Sequence, residues 1–560
     1  MRLILILLKR RVAIVRRIIR DRESAKVAVM GAFALLFALV MGGEYIVLLR
    51  TFGHISRELG VGAPALTLYT LESFLALIWL VTLLSFVVSG LWIFYRASDT
   101  PLLLSTPLPL TTLYWLRAIE TFTVTSWAFV ILGVPALAAL GASYGSAGSY
   151  YVVALVVLAL FMAFTGGTGV VVTALAGAAF RRFRTRTAIL LVGGLLLGGF
   201  ALLVGRNVVP SGDDFIAIFE PGILNGKPES IKFIEGKFGL WPSHPFAVTL
   251  YSNATGHPAG TGATEVALWL APLLALAIAA VPGRWIYRRT LPLVAEGLVF
   301  AGASETPPAP GGRHRFPRFF SGPVGCLVER DLLRLVRSPR ELGHVALLLF
   351  LLALYMAFLF AAPLRDVGQK HETVARLLFL NLLAAGYFLT AFGLRFVFPS
   401  LSLEGQAAWV LFASPVRLFR LFLGKLALYA LLLGLVVGSI ALAGTLRLSP
   451  SPALLGAFAL LLALVTVTTV AVSLAFGTLW PNFKESNPES LATNAGGLAT
   501  TFLCLGYVAL LGWLAQRSAL LLFDGRPPTA PLLLALAVST AIVGGVIGAA
   551  RRRISQLEVL

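Results

Sequence analysis

Long apolar runs, separated by short basic or Gly/Pro-rich stretches, set the pattern of this chain. A run of roughly 20 apolar residues crosses a hydrocarbon core about 30 Å thick, and only as a helix does it satisfy its own backbone groups there. Twelve such spans are predicted: Val27 to Leu49, Leu66 to Tyr95, Ala118 to Leu140, Tyr151 to Phe180, Ala188 to Val204, Glu265 to Val281, Val345 to Pro363, Val374 to Phe398, Leu426 to Ala443, Pro452 to Trp480, Ala495 to Leu514 and Pro531 to Ala549. The short alternating segments of a barrel do not occur. The expected fold is an all-α polytopic membrane protein of about twelve transmembrane helices.

The segments between spans recur. L-L-K-R-R-V-A-I-V-R-R-I-I-R-D-R-E, Leu7 to Glu23, leads into the first span, and L-V-E-R-D-L-L-R-L-V-R-S-P-R-E, Leu327 to Glu341, leads into the seventh. Apolar residues at helical spacing with arginines between them, Arg16 and Arg17 in one copy and Arg334 and Arg337 in the other, suit a helix lying in the membrane interface. S-T-P-L-P-L-T-T-L-Y-W-L-R, Ser105 to Arg117, returns as A-S-P-V-R-L-F-R-L-F-L-G-K, Ala413 to Lys425, at an offset of about 308 that preserves helical phase. F-R-R-F-R, Phe180 to Arg184, answers W-P-N-F-K, Trp480 to Lys484, and Gly-Gly-Leu follows each, at Gly193 to Leu195 and Gly496 to Leu498.

Four matched features in one order predict two six-span units. An even number of spans per unit makes the repeats parallel. The expected domains are 1–290, a cytoplasmic linker 291–322 containing E-T-P-P-A-P-G-G-R-H-R-F-P-R, and 323–560. The first unit carries a long external segment, about 207–264, in which W-P-S-H-P-F-A-V-T-L-Y, Trp241 to Tyr251, reads as a turn and a short helix on the outer surface.

Composition agrees with a bilayer as solvent: 58% of the 560 residues are hydrophobic and 12% are charged. A net charge of +20 raises the question of a nucleic-acid partner, but the charge lies between the spans. Starting inside, roughly 33 of the 45 Lys and Arg residues fall on the cytoplasmic side, a positive-inside bias that places both termini in the cytoplasm. No nucleic acid is expected as a partner. Membrane lipid is, with anionic headgroups attracting the basic surplus. The abundance of Ala, Leu and Arg reads as bacterial, and the expected location is the inner (plasma) membrane.

Motifs for chemistry are few. Gly-Lys occurs at Gly226, Gly236 and Gly424, followed by Pro228, Phe238 and Leu426, so the phosphate-cradling pattern G-x-x-x-x-G-K-[ST] is missing. His371-Glu372 lacks the second histidine of a zinc-protease motif, and Cys326 and Cys504 make no metal or disulfide framework. No catalytic residues, metal site or resident cofactor are expected. Glu44, Glu72, Glu120 and Glu265 lie toward the ends of spans, where a carboxylate reaches the interface.

Pro107 and Pro415 suit helix starts, and Leu110, Leu113, Tyr114 and Leu116, matched by Leu418, Leu421 and Phe422, form apolar stripes. A short amphipathic helix ahead of a span would offer its other face to a cytosolic partner; an elbow that only reorients the chain is the plainer reading.

F-P-S-L-S-L-E-G-Q-A-A-W-V-L-F-A-S-P-V-R-L-F-R-L-F-L-G-K, Phe398 to Lys425, with W-P-N-F-K-E-S-N-P-E-S and A-S-D-T-P-L-L-L-S-T-P-L-P, Ala97 to Pro109, resembles the bacterial type-2 ABC transporter permeases. Within them it is most similar to the double-length exporters with two fused six-span halves. The resemblance implies a transport subunit that is not itself an enzyme, driven by two copies of a separately encoded ABC ATPase that bind ATP and Mg. It also implies an ATPase-coupling surface at Pro107, Leu110, Tyr114, Trp115 and Arg117, and at Pro415, Arg417, Arg420, Phe422 and Lys425, with Arg16, Arg17, Arg334 and Arg337 on the elbow helices. Arg417 and Arg420 stand where the first copy has Pro109 and Thr112, which leaves the equivalence of the two sites open. A secondary carrier of six-plus-six type and a non-transporting assembly or sensor subunit are the alternatives.

Overall fold

The computed structural model describes residues 24–58, 63–97, 100–126, 129–182, 223–224, 227–228, 234, 236–239, 241–256, 262–303, 330, 345, 348–356, 371–407, 417–448, 450–483, 491–492 and 494–558. Their regular elements are helices, apart from one antiparallel ladder, β1 (Ile223–Leu224) with β2 (Lys227–Pro228). The helices are α1 (Ser24–Glu58), α2 (Ala63–Arg96), α3 (Thr100–Leu104), α4 (Leu110–Thr125), α5 (Val134–Tyr144), α6 (Gly148–Arg182), α7 (His244–Thr255) and α8 (Gly262–Ala303). They continue with α9 (His371–Phe392), α10 (Leu418–Leu433), α11 (Ser439–Leu446), α12 (Pro452–Leu479), α13 (Ala495–Phe523) and α14 (Thr529–Glu558). Two compact units divide the described helices: α2 to α8 belong to one and α9 to α14 to the other.

Among the described residues eight helices are long and apolar enough to cross a membrane, or nine when the pair Leu110–Thr125 and Phe129–Tyr144, bent by 43°, counts as one span. The expectation of twelve is thus met only to this extent. Ala188 to Val204 lies outside the described residues, and Val345 to Pro363 is described only at 345 and 348–356. Val27 to Leu49 falls within α1. The third and ninth predicted spans begin about two turns too late: α4 starts at Leu110 and α10 at Leu418, so the recurring segment is the first half of a span.

Local chemistry explains the element ends. Ser451 caps α12 by accepting a hydrogen bond from the Leu454 amide at 3.3 Å, with Pro452 in the first turn. Asn494 caps α13 by accepting from the Gly497 amide at 2.9 Å. Hydroxyls inside the apolar helices are satisfied locally: Thr466, Thr469 and Ser473 each donate to the carbonyl four residues back.

In the first unit α6 packs on α2 and α8, and α7 is wedged against α2, α6 and α8. In the second, α12 packs against α9, α10, α13 and α14. Gly477 on α12 is required by a close approach: a Cβ there would lie 1.9 Å from the Phe398 carbonyl oxygen. Outward faces stay apolar, as with Val266, Trp269, Leu270, Leu273, Leu274 and Ile278 along α8. Such a continuous stripe would be unfavourable in water and is what lipid tails solvate.

Candidate functional site

The recurring segment builds one polar contact in the core of each unit. In the first, Pro109 has extended backbone (φ −66°, ψ 137°) and caps α4, with its carbonyl accepting from the Thr112 amide at 2.9 Å. Pro107 is therefore not the helix start; it is exposed in the turn between α3 and α4. Leu113, Tyr114, Arg117, Ala118, Thr121 and Thr125 recur at helical spacing and are buried.

Arg117 is 1% exposed, and its guanidinium donates to Glu120 Oε2 at 2.8 Å and to Thr100 Oγ1, at the start of α3, at 3.0 Å. The arginine thus fastens α3 to α4. Beside it, Tyr114 donates to the Ala279 carbonyl of α8 at 2.7 Å, and Tyr287 of α8 donates to the Phe94 carbonyl of α2 at 3.0 Å. The rings of Phe94, Tyr114 and Tyr287 meet at 5.4 to 5.8 Å between centroids, tilted or edge on. Leu110 and Trp115 are half-buried against this cluster.

The second unit repeats the geometry with other chemistry. Arg417, extended at φ −63° and ψ 114°, caps α10, and Leu418, Leu421, Phe422, Lys425, Leu428 and Tyr429 are buried. Lys425 Nζ donates to the Ser400 carbonyl at 3.2 Å and lies 3.6 Å from Glu404 Oε1, which also binds Arg330. Ser400 and Glu404 sit on irregular backbone after α9, where a π turn (Gly393–Val397) gives way to two short 3-10 turns. Non-helical backbone of this kind persists in a membrane protein where protein buries it.

The predicted site residues therefore divide. Tyr114, Arg117, Phe422 and Lys425 are buried in their own units; Pro107, Arg417 and Arg420 are exposed; Leu110 and Trp115 lie between. Pro415, Arg16, Arg17, Arg334 and Arg337 lie outside the described residues. Arg551 reaches over the Phe419 ring at 5.5 Å, adding a further cation beside exposed Arg420. The sequence reading missed the partners: Thr100, Glu404 and Ser400 carry no motif, whereas Glu120 at i+3 from Arg117 was an available signal.

No group of three or more His, Cys, Asp or Glu among the described residues is placed to hold a metal ion. Nor do the two described Gly-Lys pairs form a phosphate cradle. Lys425 is committed to Ser400 and Glu404, and the Lys237 ammonium lies 5.4 Å from the Tyr69 ring centroid.

No curated protein and no solved structure matches the chain. A protein-family model described as “Putative ATP-binding cassette” matches residues 20–543. That description names ATP-binding chemistry and corrects the resemblance to a type-2 permease served by separately encoded ATPases, together with the expectation that the chain is not an enzyme. That expectation rested on the resemblance together with the missing G-x-x-x-x-G-K-[ST], and absence of that motif removes only one known way of cradling phosphates. The match covers most of the sequence, and the chain belongs to the family described as putative ATP-binding cassette.

Proposed function

We propose that the chain is a membrane-spanning protein of an ATP-binding-cassette transport system, in which nucleotide-driven movement acts on the helices through two buried-cation clamps. One observation carries this reading: a 16-residue helix in each unit holds a cation at its eighth position, Arg117 or Lys425, buried and bonded to the segment that precedes the helix. A buried cation is costly unless paired, so a clamp of this kind has two discrete arrangements, made and broken, and no gradual range between them. Such an element can pass a displacement of α3, or of 398–407, into a span.

The finer arrangement belongs to the same proposal. Twelve spans would form two parallel six-helix repeats, 1–290 and 323–560, joined by a linker at 291–322. Both termini would be cytoplasmic, in a bacterial inner membrane, with ATP and Mg as the energy source. The offset of about 308 that carries Leu113, Tyr114 and Arg117 onto Leu421, Phe422 and Lys425 supports the repeat.

The test is Mg-dependent ATP hydrolysis by the chain purified in nanodiscs with whatever subunits it retains. Arg117→Met and Lys425→Met are each expected to lower hydrolysis by about 5-fold or more, the scale of a coupling free energy, with insertion unchanged. Photolabelling with azido-ATP is expected to mark this chain, in line with the family description. Wild-type protein without nucleotide-dependent activity, or two variants hydrolysing like wild type, would refute the proposal.

A further inference from the structure

The first unit holds a second buried polar contact that the clamp does not use. Glu72, the tenth residue of α2, is fully buried, and its Oε1 lies 2.6 Å from Nδ1 of His244, the first residue of α7. The rise along a helix puts Glu72 about 13 Å from the start of α2, and there α7 covers its carboxyl. The sequence expectation for this glutamate is corrected accordingly.

The turn and short helix expected within 241–251 are present, and the helix, α7, is packed into the unit. His244, Phe246, Ala247, Val248, Leu250 and Tyr251 of α7 are buried, and the Phe246 ring sits 4.7 Å from that of Phe161 in α6. At the far end of α7, Ser146 donates to the Ala254 carbonyl at 2.8 Å. The helix is seated in the unit from end to end.

The charge state of the pair follows from comparing two magnitudes. The N-terminus of α7 favours an anion by about 0.3–1 kcal/mol. A buried uncompensated charge costs several kcal/mol, so burial wins and selects the pair in its overall neutral form. The bonding agrees. An ionised carboxylate calls for donors at both oxygens, yet Glu72 Oε2 has no hydrogen-bond partner among the described residues, and neither does the buried Ser243 hydroxyl beside His244.

Other titratable or charged groups around the packed elements include Tyr69 of α2 with Lys237 over its ring, and Tyr144 of α5, whose hydroxyl is 2.6 Å from that of Thr67. Tyr150 of α6 donates to the Leu137 carbonyl, Tyr251 lies on α7 itself, and Glu265 is exposed in the first turn of α8. None of them forms a hydrogen bond or ion pair with Glu72.

We propose that Glu72 and His244 form a proton-binding site, loaded with one proton from water when α7 seats in the first unit and emptied to water when α7 leaves. No bond other than to that proton forms or breaks. In the seated state that one proton is shared between Nδ1 and Oε1, and the pair carries no net charge. In the unseated state water solvates the ionised carboxylate, and the shared proton has passed to water. Seating therefore binds one proton more than unseating, and the opening equilibrium rises with pH by up to about 10-fold per unit.

The test measures amide hydrogen exchange of 244–255 in full-length protein in nanodiscs from about pH 6 to about pH 9, corrected for the intrinsic chemical rate. Wild-type opening is expected to grow by about 10-fold or more over this window, and Glu72→Gln, neutral without a proton, is expected to show a flat profile. A flat wild-type profile overturns the proposal without reference to any variant, and a Glu72→Gln protein that keeps the wild-type slope overturns it equally.

Discussion

Replacing Arg117 by methionine tests whether the cation in α4 is a structural clamp. Methionine keeps most of the unbranched stem that packs beside Tyr114 and removes the fork that binds Glu120 at 2.8 Å and Thr100 at 3.0 Å. Breaking a fully buried pair costs about 3–5 kcal/mol, and an exposed pair about 0–1 kcal/mol. Here the arginine side chain is 1% exposed and the glutamate 25%, so water recovers part of the loss at Glu120 and about 2–3 kcal/mol remains. At about 1.4 kcal/mol per decade this opens the α3 to α4 segment about 30-fold to about 150-fold more often. Amide exchange of residues 100–117 in nanodiscs reads that change directly. Glu120→Gln alone should raise exchange far less, because Thr100 still holds the guanidinium, and the double variant should fall short of the sum of the singles. An Arg117→Met protein whose exchange stays within about 3-fold of wild type would remove the clamp from the argument, since an unpaired surface arginine behaves that way.

Gly477→Ala should lower the thermal midpoint in detergent by the equivalent of about 1–3 kcal/mol, because its new methyl meets the Phe398 backbone oxygen. Gly456→Ala on the same helix, with open space around its Cβ position, should be neutral or mildly stabilising. Tyr114→Phe should cost about 1 kcal/mol through the lost bond to the Ala279 carbonyl, seen as faster exchange in the first turns of α4. Asn381→Leu removes the contacts to Tyr355 at 2.5 Å, to the Ala441 carbonyl at 2.9 Å and to Thr445 at 3.0 Å. It should loosen α9 against α11 by about 1–3 kcal/mol, measured by protease sensitivity of the second unit.

What the sequence made legible depended on how many residues carried each signal. Helices such as α2, α6 and α12 announce themselves because apolarity accumulates over more than 20 positions, and no single residue alters the sum. The helix α7 has 12 residues, proline in its first turn and mixed polarity, and nothing in W-P-S-H-P-F reveals that Phe246 will meet Phe161. Glu72 was misplaced for a related reason: its position near the start of a span implies access to headgroups only if no other element covers it. The element that covers it lies 172 residues away.

The recurring segment shows the limit from the other side. Its helical stripe was visible, and so was the match of Arg117 to Lys425. A stripe, however, fixes which residues share a face and says nothing of what that face meets. The resemblance puts Arg117 and Lys425 on a partner-facing surface, where charge usually meets water. In the folded units both cations turn inward, and each finds acceptors from an upstream segment: Thr100 in one, Ser400 and Glu404 in the other. Exposed contact with any partner is thereby left to different side chains in the two units, Pro107 in the first and Arg417 and Arg420 in the second. The buried halves share a plan, and at two aligned positions the sequence differs, Pro109 and Thr112 in the first unit against Arg417 and Arg420 in the second. Lys425→Arg should be tolerated less well than Arg117→Lys, since a carbonyl and one carboxylate oxygen give a planar fork poorer acceptors than they give an ammonium.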